Sequence, residues 1–417
     1  MAKHHEVWVL TSAANRAAID SELDRSPCSD LHVVYCDLPS WIGRRTQEQH
    51  MRWSVYYYPW QVLAYFVAKR LHLRVGFHLI HHVTLMKFWM PTFLCLLHVP
   101  LIWGPVGGGE SAPPSYYRGL GVRGRLYEAA RDGIRAAGAR DPFVRLSARR
   151  SVLAYGATEE TSARLLALGA PRVRTLPGIC LPRGEIDELG SRPSAAEGPL
   201  RVISIARLLH WKGFQYGLAG FAAAGLPDAE YWIVGDGPER ASLERLAARL
   251  GIARQVRFLG RLGRDETMGA LGECHALVHP SLHDSGGSVC LEAMAAGRPV
   301  IYLDTGGPAA LVGEDAGIRI AASGPADSVR GLAAAIRLLG TQPELRVRMG
   351  AAGRRHMATF DWDSRAEYFT QVYEEVLAQR PAEARAGITD RPRITDRPGD
   401  DRQAGRAASS RTGVADS

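Results

Sequence analysis

Asp284 and Glu292 stand eight positions apart in the stretch HDSGGSVCLEAMAAGRPVI, residues 283–301. Two glycines, Gly286 and Gly287, follow the first acid. Residues 289–296 have the composition of a helix, and residues 299–303 that of a buried strand. A glycine turn opening a helix leaves free backbone N–H groups, and the helix dipole there favours an anion. The amides around Ser285, Gly286 and Gly287 are therefore suited to ligand oxygens such as a phosphate. Glu292 falls about one turn into the helix, where a buried carboxylate is costly unless something donates to it. A pair of ribose hydroxyls would suit it, and Asp284 could accept from sugar hydroxyls. The competing reading has Asp284 capping the helix and Glu292 pairing with a nearby arginine.

Further candidates follow other strand-like runs. After RVISIA come Arg207 and then Lys212, two cations on one loop leading into a helix, which is what a diphosphate needs. After YWIVG comes GDGP, in which Gly235 would let backbone approach a ligand. No GxGxxG followed by an acid stands directly after one of these strand-like runs, so a nicotinamide enzyme is disfavoured. Upstream, LIHHVT offers His81 and His82, whose side chains project to opposite faces of a strand, so at most one enters a cleft. WGPVGGGE offers Gly107, Gly108, Gly109 and Glu110 after a further strand. Three glycines there predict a close backbone approach.

The elements that must hold these residues alternate. Strands are expected at EVWVL, LHVVYCDL, residues 75–82, residues 98–103, SVLAYG and VRTLP, with helices between them and an Arg-rich helical stretch over residues 118–150. Residues 176–198 are rich in Pro, Gly and Ser, which predicts a domain boundary. A second series follows: RVISIA, YWIVG, QVRFLG, ALVHP and residues 299–303 as strands, with helices between. Strands alternating with helices imply parallel sheets, whose natural site is the cleft at the strands' carboxyl ends. The expected organisation is a first domain over residues 1–178, a second over 179–360, a closing helix over 361–379 and a disordered polar tail over 380–417, where ITDRP occurs twice.

The bulk properties narrow the partners. The 417 residues carry a formal charge of +8, which fits an anionic partner: a nucleotide, a phosphorylated acceptor or a membrane surface. An ordinary solvated surface fits as well. The six cysteines are scattered without a CxxC pair, which argues against a metal site or disulfide framework and predicts a reducing, cytoplasmic compartment. The start, MAKHHEVWVLT, has no apolar run long enough for a signal peptide, and prolines interrupt the uncharged run over residues 88–106.

The second half resembles the retaining nucleotide-sugar transferases of glycosyltransferase family 4. Their signature is two acids separated by seven residues with a glycine turn between, then LEAMA-x-G-x-PV; here it reads D-SGGSVCL-E-AMAAGRPV. ARLLHWKG is similar to the family's Arg…Lys diphosphate clamp, and IVGDGPER, RFLGRL and TGGPAALVGEDAG to the segments around it. The similarity runs from about residue 201 to 354. It implies a GT-B fold, two Rossmann-like domains facing a central cleft. It implies that Arg207 and Lys212 hold the donor diphosphate, that Glu292 binds ribose, and that Asp284 with Gly286, Gly287 and Ser288 binds the transferred sugar. Gly235, Arg261 and Leu262 would lie by the nucleotide, and Gly108, His81 and His82 on the acceptor side. Three departures stand out. The first acid is Asp284, where the family has Glu. The glycine pair usual after the first strand is replaced by Ser12, Ala13, Ala14 and Asn15. The acid often found after the later glycines is Ala310.

The resemblance implies a sugar transfer from a nucleoside-diphosphate sugar (UDP- or GDP-sugar) to an acceptor hydroxyl on a glycan, a glycolipid or a small molecule. Neither cofactor nor metal is implied, because protein cations serve the leaving phosphate, and no nucleic-acid partner is expected. Cell-envelope polysaccharide or glycolipid assembly is the commonest role of the family, with secondary-metabolite glycosylation as the alternative. The Arg-rich stretch could seat the protein on the anionic inner face of a membrane. Rival readings are another nucleotide-sugar enzyme on the same scaffold and a non-catalytic partner of an active transferase. DWD at residues 361–363 has the look of a metal motif, but it opens the closing helix.

Overall fold

The structure, a computed structural model, describes residues 1–39, 54–83, 87–192 and 198–379. The tail expected over residues 380–417 lies outside these. In the second half, six strands form one parallel sheet: β7 (Arg201–Ile205), β8 (Glu230–Val234), β9 (Val256–Gly260), β10 (Ala276–His279), β11 (Val300–Leu303) and β12 (Gly317–Ile320), in the order β12-β11-β10-β7-β8-β9. Helices cover both faces, so strand residues alternate between two apolar cores. Val202, Tyr231 and Ile233 enter one core; Ile203, Trp232 and Val234 enter the other.

In the first half, β1 (Val7–Thr11) and β2 (Leu31–Tyr35) form a parallel pair. A separate parallel sheet runs β3 (Ile80–His82), β4 (Leu101–Val106), β5 (Ser151–Gly156) and β6 (Val173–Thr175). Among the described residues, the six strands expected here therefore form two pieces rather than one sheet. The helices of this half are α1 (Arg16–Arg25), α2 (Ser54–Val75), α3 (Val122–Arg140), α4 (Pro142–Arg150) and α5 (Glu159–Leu168). The Arg-rich stretch divides at Asp141, whose side chain accepts from Phe143 N at 2.7 Å and caps α4 ahead of Pro142. α5 ends at Gly169, which takes φ +94°.

Residues 176–198, expected to lack pattern, contain α6 (Arg183–Ser191). Its only strongly apolar residues, Ile186 and Leu189, are three apart, so they share a face and enter a core of the second half. The later helices are α7 (Phe214–Ala224), α8 (Arg240–Arg249), α9 (Arg264–Glu273), α10 (Ser288–Ala295), α11 (Gly306–Leu311), α12 (Pro325–Thr341), α13 (Pro343–His356) and α14 (Trp362–Ala378). Asp361 accepts from Asp363 N and Ser364 N, each at 2.9 Å, so the DWD stretch is a helix cap. Along α14, Phe369, Val372 and Val376 pack on Ile102, Leu153 and Tyr155 of the first half. The chain thus crosses back over β4 and β5.

Candidate active site

The loops leaving the carboxyl ends of β7, β8, β9 and β10 meet along one edge of the six-stranded sheet. Glycines let them touch. Gly213 has φ +69°, and a Cβ there would stand 1.8 Å from Pro280 O. Gly235 has φ +131°, with a Cβ position 2.0 Å from Ala206 O, and its N–H donates to Gly260 O at 2.7 Å. The close approach expected at Gly235 is therefore to the loops after β7 and β9, and its amide is already used.

Lys212, on the short turn His210–Lys212, donates from Nζ to Asp284 Oδ2. Both side chains are less than one-fifth exposed. His279 Nε2 lies 3.4 Å from the same oxygen, near enough to favour its charge without the alignment of a hydrogen bond. Burial pushes the Asp284 carboxyl up, but His279 and Lys212 together outweigh it and hold the group well below the usual carboxylate range. Arg207 is exposed and has no side-chain partner among the described residues.

Asp284 Oδ1 also accepts from Gly286 N at 3.3 Å, so this acid closes the turn before α10 as well as pairing with Lys212. Gly287 takes φ +102° at the N-cap, and Ser288 is exposed at the first helical position. The first N–H groups of a helix have no partner within it. Glu292 is 6% exposed and lies 3.1 Å from Arg264 Nη1, so an arginine does face it. Burial raises its carboxyl above the ordinary value and Arg264 only partly opposes this. Arg264 opens α9 and also binds Glu185 of α6; Arg261 and Leu262 precede it on the loop after β9.

The first half reaches into this site through residues that the sequence does not mark. Glu128 of α3, 1% exposed, accepts from His283 Nε2 at 3.0 Å and His210 Nε2 at 3.2 Å. Trp211 stacks between Tyr127 and His283, with ring centroids 4.7 and 5.6 Å away. These contacts clamp the turn that carries Lys212. Burial pushes His283 below its ordinary value, so at neutral pH it is an uncharged donor to Glu128. Part of the Arg-rich stretch is likewise structural: Arg131 Nη2 donates to Glu110 O at 2.7 Å and Arg135 Nη1 to Ser111 Oγ at 2.7 Å.

Glu110 is the second junction. Its carboxylate accepts from Gly108 N at 3.0 Å, from Thr158 Oγ1 and Thr161 Oγ1 at 2.8 Å each, and from Ser285 Oγ across the cleft. Gly108 N also donates to Ser285 Oγ at 3.0 Å, so this amide, expected to meet substrate, is spent within the protein. The glycine run makes room for protein: Cβ atoms at Gly108 and Gly109 would stand 2.5 Å from Trp89 and from Thr161.

The two histidines part company, as neighbours on a strand must. His81 Nε2 lies 2.6 Å from Gly104 O and Nδ1 2.6 Å from Tyr373 Oη of α14. Both ring nitrogens are thus engaged in docking the closing helix, and burial lowers His81 to about 4. That leaves no free nitrogen for a substrate. His82 is buried with Nε2 3.4 Å from Tyr57 Oη. Among the described residues, no group of His, Cys, Asp and Glu could hold a metal ion.

Comparison with known proteins bears on this geometry. Residues 186–356 match the family model described as glycosyl transferases group 1. The lipopolysaccharide core biosynthesis glycosyltransferase LpsD of Rhizobium meliloti is 34% identical over 180 residues, which cover 43% of this chain and 50% of that protein. D-inositol 3-phosphate glycosyltransferase of Streptomyces avermitilis is 37% identical over 136 residues, 32% of this chain and 28% of the other. The chain thus spans about half or less of the length of the curated relatives it matches. Among solved structures, Anabaena Alr3699/HepE in complex with UDP superposes with a TM-score of 0.56 at 15% identity, covering 89% of this chain and 100% of that one. Sucrose-phosphate synthase from Thermosynechococcus elongatus gives 0.55 at 19% identity, covering 84% of each. At these identities the likeness is one of fold, and that fold is GT-B. Arg207, Lys212, Arg264, Asp284 and Glu292 all fall within the segment that matches the group 1 glycosyl transferase model.

Proposed function

We propose that the protein is a retaining transferase of glycosyltransferase family 4 that moves a hexosyl group from a nucleoside-diphosphate sugar to an acceptor hydroxyl. The observation that carries this reading is the Lys212–Asp284 pair beside the opening turn of α10, with the unpartnered Arg207 on the same loop system. The diphosphate would lie against Arg207, Lys212 and the α10 amides. Asp284 would hold hydroxyls of the transferred sugar, and Glu292 those of the ribose. As the bond from the sugar's anomeric carbon to the diphosphate breaks, the charge gathering on the leaving oxygen meets the two cations, a contact worth roughly 3 kcal/mol each. The acceptor oxygen bonds to that carbon on the same face and passes its proton to a diphosphate oxygen. His82 is the candidate for orienting the acceptor.

The lipopolysaccharide relative supports an acceptor in cell-envelope glycolipid or polysaccharide assembly. Along α3, Val122, Leu126 and Ile134 are exposed, and Arg123 and Arg125 beside them are exposed too. Residues 122, 126, 130 and 134 recur every four positions and form one stripe. Such a stripe flanked by arginines suits the surface of an anionic membrane, so we place the enzyme on the cytoplasmic face of a membrane carrying its acceptor.

Calorimetric titration of UDP and of GDP into wild type and Glu292→Ala tests the donor site. One nucleotide should bind wild type at least tenfold more tightly than the variant, with both proteins folded. Absence of binding by either nucleotide to folded wild type would sink the proposal in favour of a non-catalytic partner.

A further inference from the structure

β1 pairs only with β2, and β3 only with β4, among the described residues. Each therefore has one hydrogen-bonding edge turned away from its partner. Between them lies a cavity of about 990 Å³. Every residue of β1, Val7–Thr11, lines it, and so does every residue of β3, Ile80–His82. Side chains alternate faces along a strand, so a void against a face would touch every second residue. Contact with each successive residue means that the void runs along two strand edges. Residues of two helices also line it, among them Ala64 and Ala68 of α2 and Phe369 and Tyr373 of α14. Two parallel edges and two covering helices are the surroundings of an inner strand of a parallel sheet.

The second half shows which strand the place belongs to. Its order, β9-β8-β7-β10-β11-β12, sets its first strand at the centre with two successors on one side and three on the other. The first half reads β2-β1, cavity, β3-β4-β5-β6. Laid on one another, β1 matches β8, β2 matches β9, β3 matches β10, and the cavity takes the place of β7. That doubly wound order, with the first strand central, is the usual one for such sheets. β1 is then the second strand of its sheet.

We propose that the cavity is the seat of a further parallel β-strand of the same polypeptide, joined to β1 through a crossover helix. The strand completes one seven-stranded sheet. Helices on both sides require it to be apolar on both faces. The crossover enters β1 from its amino end, beside which Met1 lines the cavity. The strand's carboxyl end opens toward the cleft as that of β7 does, so its loop stands opposite the one carrying Arg207.

Two measurements decide this. Intact-mass spectrometry of the protein from its native cells should exceed 45.5 kDa by at least ~2 kDa, because a strand of about five residues and a crossover of about a dozen are needed. A native mass of 45.5 kDa overturns the proposal. Amide hydrogen exchange then compares the 417-residue chain with the longer native one. Cavity-facing amides of Val7–Thr11 and Ile80–His82 should exchange at least 100-fold faster in the shorter chain. Equal rates in the two, or full protection in the shorter chain through its own residues or a second copy, would overturn it as well.

Discussion

Lys212→Ala separates what the Lys212–Asp284 pair does for the fold from what it does for the reaction. The pair is more than four-fifths buried, and removing one member of a buried pair leaves the other charge unpaired at a cost of about 3–5 kcal/mol. His279 and Gly286 N stay beside Asp284, so the lower end, about 3 kcal/mol, is expected. In a domain of this size that lowers Tm by roughly 6–12 °C. The pH dependence has a definite sign. In wild type the Asp284 pKa is depressed, so its stabilisation is present above the unfolded value near 3.9 and is lost only as pH falls through the folded value. In the variant the stranded carboxyl prefers its proton, so its penalty fades as pH falls from 7 toward about 4. The gap in Tm between the two proteins should therefore narrow on acidification. Adding Asp284→Asn removes the stranded charge and should return Tm at pH 7 to within about 2 °C of wild type. Turnover should stay down by ~10²–10³ in the double variant, because the cation proposed to meet the leaving phosphate is still missing. Thermal melts at pH 7 and 4, with saturating donor in the activity assay, read all of these. A Tm gap unchanged by pH, or a double variant no more stable than the single one, would refute the reasoning.

Other expectations concern different links. Gly213→Ala should cost at least ~2 kcal/mol in urea unfolding, since its φ is +69° and its Cβ would stand 1.8 Å from Pro280 O; a neutral result would mean that the loops after β7 and β10 do not meet as described. His81 is held neutral with a pKa of about 4, below its ordinary 6.5, so the unfolded chain takes up the proton first as pH falls. Wild type should then lose at most about 3 kcal/mol between pH 7 and 4 from this group, and His81→Asn should show a flatter pH profile in urea titrations. Leu126→Glu with Ile134→Glu should abolish sedimentation with anionic liposomes while leaving Tm within about 2 °C, because both side chains are exposed. Equal sedimentation of variant and wild type would remove the membrane proposal.

The second sheet is legible because parallel strands buried on both faces read as short apolar runs, as VISI, YWIV and ALVH do. The cations and acids follow because each stands just past such a run. Other features are hidden for physical reasons. α6 has only Ile186 and Leu189 to announce it, among acids and glycines that favour no single structure. Glu128 sits in an Arg-rich helix, and its partners His210 and His283 are 82 and 155 positions away. Its one visible sign is that it is one of only two acids, with Asp132, among the arginines of that helix. The glycine run before Glu110 signals close approach correctly, yet nothing in its composition tells that the neighbours are Trp89 and Thr161 rather than a ligand. The break between β1 and β3 is equally silent, since a strand's residues do not name the strand beside it.

The spacing of the two acids now has a physical account. Asp284 ends the approach from β10, and two glycines turn the chain into α10, so Glu292 falls on the helix while Asp284 stays in the turn. Their environments then diverge. Lys212 and His279 keep Asp284 ionised, whereas burial raises Glu292 with only a half-exposed arginine to oppose it. Pairs of carboxyls pushed apart in this way take different roles. A firmly ionised acid that already holds one cation is suited to accept from hydroxyls without changing charge. A raised acid whose arginine is exposed has a partner that water can replace, so hydroxyls arriving at Glu292 need not break a buried pair. In the transfer we propose, this sets Asp284 beside the charge that changes and Glu292 beside the part of the donor that stays constant.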